Sequence, residues 1–515
     1  MKSTRPAGSP WQGVTMPAAE PLLEDIRVDV CVVGGGIAGI STAHGLTREG
    51  KSVVVLDAGP LGGGETARTT AHLSSAIDDG FCEIERLHGP EGARICAESH
   101  AKAIDTIEQI VLDGGIDCDF ERVDGYLLDG GREATVSLAE ELEAARRAGL
   151  KGVDLLSRAP LESLRSSACL RFSRQGQFHP LKYLRALAQA IAREGGRLHV
   201  ETLVEEVEED QPARVVTAGG PIVTADDVVV ATNSPFIDRF AVHTKQAPYR
   251  TYAVAADLPH GAVPHGLYWD TLDPYHYVRL APSGKEGEEL LIIGGEDRKP
   301  GDDEDHEGRF EALERWARER FPMMGGVAFR WSGQVMEPVD GVAFIGRSPG
   351  RHSNIYIATG DSGMGMTHGT IAGLLITALI MSRTNPWSHL YDPSRITLGA
   401  LGRFLREGAS VVGTMAEWFR AGDVETSEQI APGSGAVVRR GLKKVAVYRD
   451  REGRLHERSA VCTHLGCVVA WNRIAGSWDC PCHGSRFDPY GRVLTGPAVA
   501  ELRPVTTGEK EASGL

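Results

Sequence analysis

"VDVCVVGGGIAGISTAHGLTREGKSVVVLDAG", residues 28–59, joins two periodicities through a glycine turn. The apolar run Val28–Val33 reads as a buried strand. Ile37, Ile40, Ala43 and Leu46 then recur at helical spacing up to Gly50, and "SVVVLD" reads as a second strand. Gly34, Gly36 and Gly39 fit G-x-G-x-x-G at the mouth of the helix, and Asp57 closes the second strand 23 positions after Gly34. Gly34 permits the tight turn, Gly36 lets a pyrophosphate approach the backbone, and Gly39 lets helix and strand pack closely. The helix N-terminus, opening at Ile37 and Ala38, faces the phosphates. Asp57, followed by Ala58, is placed to accept hydrogen bonds from ribose hydroxyls. The pattern predicts an α/β, Rossmann-like domain that binds a dinucleotide.

The chain has 515 residues, enough for several domains. Its 70 acidic and 55 basic residues give a net charge of -15, and no basic run offsets this. Nucleic acid and anionic membrane are thereby disfavoured as the main partner. Residues 1–24 lack both a secretory apolar core and paired arginines, and read as a cytoplasmic leader segment. The most apolar run, "IAGLLITALIM" at 371–381, falls well short of the ~20 residues that cross a bilayer. A buried helix is expected there, with no transmembrane anchor. Cys31, Cys82, Cys96, Cys118 and Cys169 are scattered, whereas four further cysteines cluster near the end. In a cytoplasmic chain such clustering points to metal or redox chemistry rather than a disulfide scaffold.

Between these landmarks, "LAEELEAARRAG" and "FHPLKYLRALAQAIAREGG" read as helical and "DDVVVAT", 226–232, as a strand. Alternating runs across 246–297 predict an antiparallel sheet. "NIYIATGDSGMGMTHGTIAGLLITALI" returns to strand, glycine turn and helix, and the compact region closes near 395. In 396–430, Leu401, Phe404, Leu405, Val411, Val412, Met415, Trp418 and Phe419 recur at helical spacing. That helix is either a linker docked on the main body or a surface for a partner or membrane. Short strands and turns fill 431–506, and 507–515 is a polar tail.

Residues 28–395 resemble the FAD-dependent D-amino acid oxidase superfamily, which includes glycine and sarcosine oxidases and amine oxidoreductases. The resemblance is carried by the glycine loop, "GPLGGGETARTTAHLSS", "GQFHPLKYLRAL", "VVVATNSP" and "IATGDSGMGMTHGTIAG". It implies an FAD domain with an α+β antiparallel-sheet substrate part, roughly 91–154 and 241–334, within a domain spanning 25–395. It also implies that Thr66, Thr69, Thr70, Thr232, Gly360, Asp361, Gly363, Met364 and Gly365 line the cofactor and that the Val204 backbone meets adenine. In sarcosine-dehydrogenase-like relatives a histidine in Thr-Thr-x-His is bonded covalently to the flavin. His72 matches it and is either so bonded or packed beside the ring. No second G-x-G-x-x-G unit occurs mid-chain, so the substrate rather than NAD(P)H is expected to reduce the flavin.

Amino acid oxidases of this family place an arginine in W-x-G-L-R-P-x-x-x-D-G to grip the substrate carboxylate. Here "WSGQVMEPVDG", 331–341, puts Val335 at that position. The departure favours an amine, or a substrate whose carboxylate is remote from the reacting carbon. Arg250, Tyr252, Tyr277 and Arg279 alternate on predicted strands and are candidates to face the flavin; ordinary salt bridging and core packing are the alternatives. The chemistry asks for a neutral amine and a C–H bond aimed at the flavin, so no catalytic base is required.

"CTHLGCVVAWNRIAGSWDCPCHGS", 462–485, spaces Cys462, His464, Cys467, Cys480, Cys482 and His483 as C-x-H-x-x-C and C-x-C-H. Four nitrogen and sulfur ligands in paired loops also describe a zinc site. The pattern resembles the Rieske [2Fe-2S] family down to Thr463, Leu465, Gly466 and "CPCHGS", which a zinc ribbon does not require. By that resemblance Cys462 and Cys480 bind one iron, His464 and His483 the other, and Cys467 and Cys482 form a disulfide in an all-β domain. Rieske oxygenases lack that cysteine pair. High-potential members carry tyrosine two residues beyond the serine, where this chain has Phe487, so a lower potential is expected.

A two-electron flavin and a one-electron cluster on one chain predict a dehydrogenase with a small-molecule amine or amino-acid-like substrate. Its electrons would leave singly through the cluster to a protein or quinone acceptor. Reversed flow, from a partner through the cluster to the flavin, is one alternative. An oxygen-using oxidase with a structural or redox-sensing Rieske domain is another.

Overall fold

The computed structural model describes residues 8–131, 136–161, 168–237, 242–299, 306–349, 354–403, 418, 422–441 and 443–505. The chain divides into two compact units, Met1–Glu407 and Gly408–Leu515.

In the first unit, β1 (Ile26–Val33), α1 (Ile37–Arg48) and β2 (Val53–Leu56) form the expected βαβ element, with β1 and β2 parallel. All four residues of β2 are buried, as a strand covered on both faces requires. The parallel strands lie in the order Ile355–Thr359, Ile222–Val230, β1, β2, Arg197–His199. Chain order reverses between β1 and Ile222–Val230, so the crevice at their carboxyl ends is the topological switch point where such folds bind ligands. Gly34 sits in it. A Cβ there would stand 2.4 Å from the Ala231 carbonyl oxygen, and its φ is +111°. The apolar run at 371–381 forms most of a buried helix, Gly365–Ile380, packed on α1. Backbone contact is close because a Cβ on Gly373 would lie 2.8 Å from the Ser41 side chain.

The second sheet runs Val327–Pro338, Gln246–Pro259, Glu288–Arg298, His276–Pro282, Leu267–Asp270, Glu121–Leu128, Cys169–Gln177, His72–Leu73. It is antiparallel apart from the pair Leu267–Asp270 with Glu121–Leu128. Helix His306–Arg320 covers one face, where Tyr252 meets Phe310 edge-on at 5.3 Å and His276 stacks on Trp316 at 4.4 Å. The opposite face bears Thr251 and Tyr277.

Two features differ from the sequence reading. Phe81–Gly114 is helical, in two segments meeting at Gly89, whose φ of +72° precedes Pro90; that interruption hides the periodicity. The described part of the leader is packed on the body, with Trp11 2% exposed and its Nε1 donating to the Thr69 carbonyl at 2.6 Å. Phe404, Leu405, Val411, Val412, Met415 and Phe419 of the amphipathic stretch, and the tail 507–515, lie outside the described residues. Among the described residues no helix is long and apolar enough to cross a membrane.

The described part of the second unit is built from β-strands and turns, with a short 3-10 helix at Ser427–Gln429. Ser434–Arg440, Lys443–Arg449 and Leu455–Ser459 form one antiparallel sheet; Ala470–Asn472, Ser477–Asp479, Arg486–Phe487 and Val493–Thr495 form another. Val437, Ala446, Trp478, Phe487 and Leu502 share a core with the four clustered cysteines.

Candidate active site and metal centre

Asp57 organises the glycine turn. Gly35 N donates to its Oδ2 at 2.6 Å and Gly59 N to its Oδ1 at 2.8 Å. Burial pushes the carboxyl up, and the Gly59 and Gly35 amides oppose that. Each oxygen retains a lone pair for a ribose hydroxyl. Thr202 N donates to the Asp57 carbonyl at 2.8 Å, which sets Val204 in one apolar cluster with Val33 and Leu56. α1 opens after Gly36, Ile37 N donates to Thr66 Oγ1 at 3.0 Å, and a Cβ on Gly36 would meet only that hydroxyl, at 3.3 Å. A helix start at an open glycine turn, with an acid on the next strand, fits a dinucleotide. Thr232 stands at the Ala231 end of the crevice, its Oγ1 donating to the Ser234 carbonyl at 3.0 Å.

Segment 65–72 is pinned from three sides. Gln334 N donates to Glu65 Oε2 at 2.6 Å, Trp331 Nε1 to the Arg68 carbonyl at 2.8 Å, and Trp11 Nε1 to the Thr69 carbonyl. It ends at His72, whose Nδ1 lies 3.1 Å from Thr70 Oγ1 and whose ring meets Tyr277 edge-on at 5.3 Å. Burial and the nearby Arg279 charge hold the His72 pKa down to about 3, so the imidazole is neutral.

Of the four strand residues expected at the substrate, the structure brings Tyr277 to His72; the other three are engaged elsewhere. Tyr252 packs on Phe310, and Arg250, on the same side of its strand, donates to Ser332 Oγ at 3.1 Å. The parity of a strand decides this, since successive side chains take opposite faces. Thr251 is the residue of that strand that faces inward, its hydroxyl 3.0 Å from Tyr277 Oη. Arg279 shares the Tyr277 face, but it donates to the carbonyls of Ala71 at 2.5 Å, Phe178 at 3.2 Å and Leu280 at 3.1 Å.

The turn after Ile355–Thr359 takes left-handed conformations at Gly360, Ser362 and Gly363, with φ of +71°, +43° and +69°. Asp361 accepts Met336 N at 3.1 Å, and Met364 and Gly365 open the following helix. Ser362 Oγ donates to Glu337 Oε2 at 2.8 Å, and a Cβ on Gly363 would stand 2.8 Å from Asp78 Oδ2. Tyr275 Oη donates to Asp297 Oδ2 at 3.1 Å. The carboxylates Asp78, Asp297 and Glu337 were not singled out from sequence. Tyr275 was findable, two residues from Tyr277 on one strand face; Asp78, in "IDDG", had no local signal.

In the second unit the two ligand loops are built alike. Cys462 N donates to the Cys467 carbonyl and Cys480 N to that of Ser485, both at 2.8 Å. Gly466 N closes on the Cys462 carbonyl at 3.0 Å and Gly484 N on that of Cys480 at 3.1 Å; the glycine φ values are +80° and +79°. The loops face each other, with the His464 and His483 rings 5.1 Å apart and Cys467 bonded to Cys482. The Cys480 thiol beside it draws Cys462 down against burial, helped by the His464 amide, the Ser485 hydroxyl and the Leu465 amide. Donors aimed at a sulfur are what a metal-bound thiolate needs, so the residues fit a two-cysteine, two-histidine [2Fe-2S] centre.

Fold and sites together define a flavoprotein joined to an iron–sulfur electron-transfer module. Residues 29–379 match the family model for FAD dependent oxidoreductase, and 420–506 match that for the Rieske [2Fe-2S] domain. The chain belongs to the FAD-dependent oxidoreductase family, carries a C-terminal Rieske domain, and is an enzyme whose cofactors are FAD and a [2Fe-2S] cluster. It is 33% identical to YhfW of Bacillus subtilis, named for a Rieske 2Fe-2S iron-sulfur protein, over 96% of this chain and 97% of that one. It is 30% identical to the gamma-glutamylputrescine oxidoreductase of Escherichia coli, over 70% of this chain and 85% of that one. The glycine oxidase structure from Geobacillus kaustophilus shares the fold at TM-score 0.61 and 21% identity, covering 72% of this chain and 99% of that chain.

Proposed function

We propose that the enzyme oxidises a C–N bond of an amine and delivers the two electrons, one at a time, through the Rieske domain to an external acceptor. FAD supplies the hydride acceptor and the cluster the one-electron relay. The observation that carries the reading is the topology of the second sheet. It is antiparallel apart from one strand pair, so among the described residues the glycine turn at 34–39 has no counterpart to hold a nicotinamide nucleotide. The relative named for a γ-glutamylputrescine oxidoreductase supports an amine, as does Val335, which stands in place of a carboxylate-gripping arginine.

The residues bind and position. His72, neutral at working pH, presents no cation to an incoming amine. Arg279, holding the Ala71 and Phe178 carbonyls, fixes the segment that ends at His72. Thr251 and Tyr277 form a hydroxyl pair beside it. Loss of two electrons and two protons converts the amine to an imine, which water hydrolyses.

Anaerobic mixing of holoenzyme with a panel of amines tests this. Flavin bleaching followed by loss of the oxidised-cluster absorbance is expected. Flavin reduction by NADPH and by no amine would overturn it, and so would cluster reduction ahead of the flavin.

A further inference from the structure

The face of Val327–Pro338 that turns inward carries Val335 and, two residues on, Glu337. A carboxylate thus sits one strand repeat from the position where relatives place a cation. Asp78 approaches it from elsewhere in the chain, and Asp297 approaches Asp78. Asp78 lies against Gly363, in the turn whose Ser362 donates to Glu337 at 2.8 Å. Asp297 accepts Tyr275 Oη at 3.1 Å, and the Asp78 carboxylate contacts the same hydroxyl.

Asp78 keeps accessible surface although protein groups crowd it. Asp297 Oδ1 is buried with no hydrogen bond of ordinary length, and the Thr251 hydroxyl, which also meets Tyr277, lies close enough to favour the charged carboxylate. No Lys or Arg is among the main influences on Asp78 or Glu337, while the Arg298 charge acts on Asp297 from the next position in the chain. Burial with the charges of Asp79 and Asp297 pushes Asp78 up to about 8, and burial with Asp79 and Asp78 raises Glu337 well above the usual carboxylate range. Mutually opposed carboxylates of this kind are stabilised by an entering cation. The three are too dispersed for a metal ion: the only described group with three potential ligand atoms within 4.8 Å of one another is Cys467, Cys480 and Cys482.

Building on the amine-oxidising reading, we infer that Asp78, Asp297 and Glu337 form a recognition site for a second cationic group, so that the substrate class is diamines and longer polyamines. One ammonium is held among the carboxylates, and the other nitrogen, neutral, presents its C–H bond to the flavin.

The test uses FAD-loaded full-length enzyme with 1,4-diaminobutane, n-butylamine and glycine, reading both binding, by perturbation of the flavin absorbance, and anaerobic bleaching. The diamine is expected to bind tighter than butylamine by roughly 30-fold or more. In Asp78→Asn and Glu337→Gln, checked for FAD content and circular dichroism, that ratio falls toward one. A wild-type ratio near one, or a ratio that survives both substitutions, overturns the site. Mg²⁺ displacing the diamine with the same dependence on Asp78 overturns it in favour of a metal. Selective diamine binding without any bleaching leaves the site standing and fails the amine-oxidation reading. Equal bleaching by all amines does the reverse.

Discussion

Asp57 is held by two backbone amides, at 2.6 and 2.8 Å, in a setting whose burial opposes its charge. Charge-assisted bonds of that kind contribute about 1.5–3 kcal/mol each. Asp57→Ala is therefore expected to weaken FAD retention by at least about tenfold, measured as flavin released on dilution; unchanged retention would remove Asp57 from the cradle. Phe487, fully buried among the ligand cysteines, has no hydroxyl to offer a sulfur. Phe487→Tyr is expected to raise the cluster potential by some tens of mV, roughly what one modest hydrogen bond yields for one electron. A wild-type potential at the top of the window of about −150 to +300 mV would contradict that expectation. Both residues were legible in the sequence because their motifs are local. Asp78, Asp297 and Glu337 were not, because three distant segments bring them together and each looks alone like a solvated acid.

Elements were legible where one period ran unbroken. β1, α1, β2 and helix Gly365–Ile380 all fall where their patterns put them. Phe81–Gly114 is hidden by Gly89–Pro90, and on Gln246–Pro259 strand parity turns Thr251 toward Tyr277 and leaves Tyr252 to its packing alternative, on Phe310. The segment before β1 shows how an unpatterned stretch can still be structural. Trp11, in the core and bonded to the Thr69 carbonyl, braces the turn that leads to His72. Trp11→Ala is expected to cost about 3–5 kcal/mol of stability, read from denaturant unfolding of the first unit's flavin signal; a change under about 1 kcal/mol would show the segment to be a passive leader. Near 395, Arg395 bonds both Asp340 oxygens at 2.8 Å. Burial works against that carboxylate, yet Arg395 and the Thr397 hydroxyl hold it down to about 2. Its folded value is depressed, so its contribution, roughly 2–3 kcal/mol, is complete above the unfolded value of about 3.9 and disappears as pH falls through about 2. The melting-temperature gap between wild type and Asp340→Asn is expected to narrow from pH 5 toward pH 3. A gap that stays constant would contradict this.

For the whole molecule, the pairing of a flavin cradle with intact cluster loops is the central fact, and it was legible because each module carries its own compact signature. Cys480→Ser removes one of the two cysteines proposed to bind iron, so amine-driven flavin reduction is expected to persist while sustained turnover with a one-electron acceptor is lost. The most direct measurement is rapid anaerobic mixing of the holoenzyme with 1,4-diaminobutane, following flavin and cluster absorbance together. The flavin should bleach first and the cluster second, with the second phase absent in Cys480→Ser. Simultaneous or cluster-first reduction, or turnover unaffected by Cys480→Ser, would contradict the account.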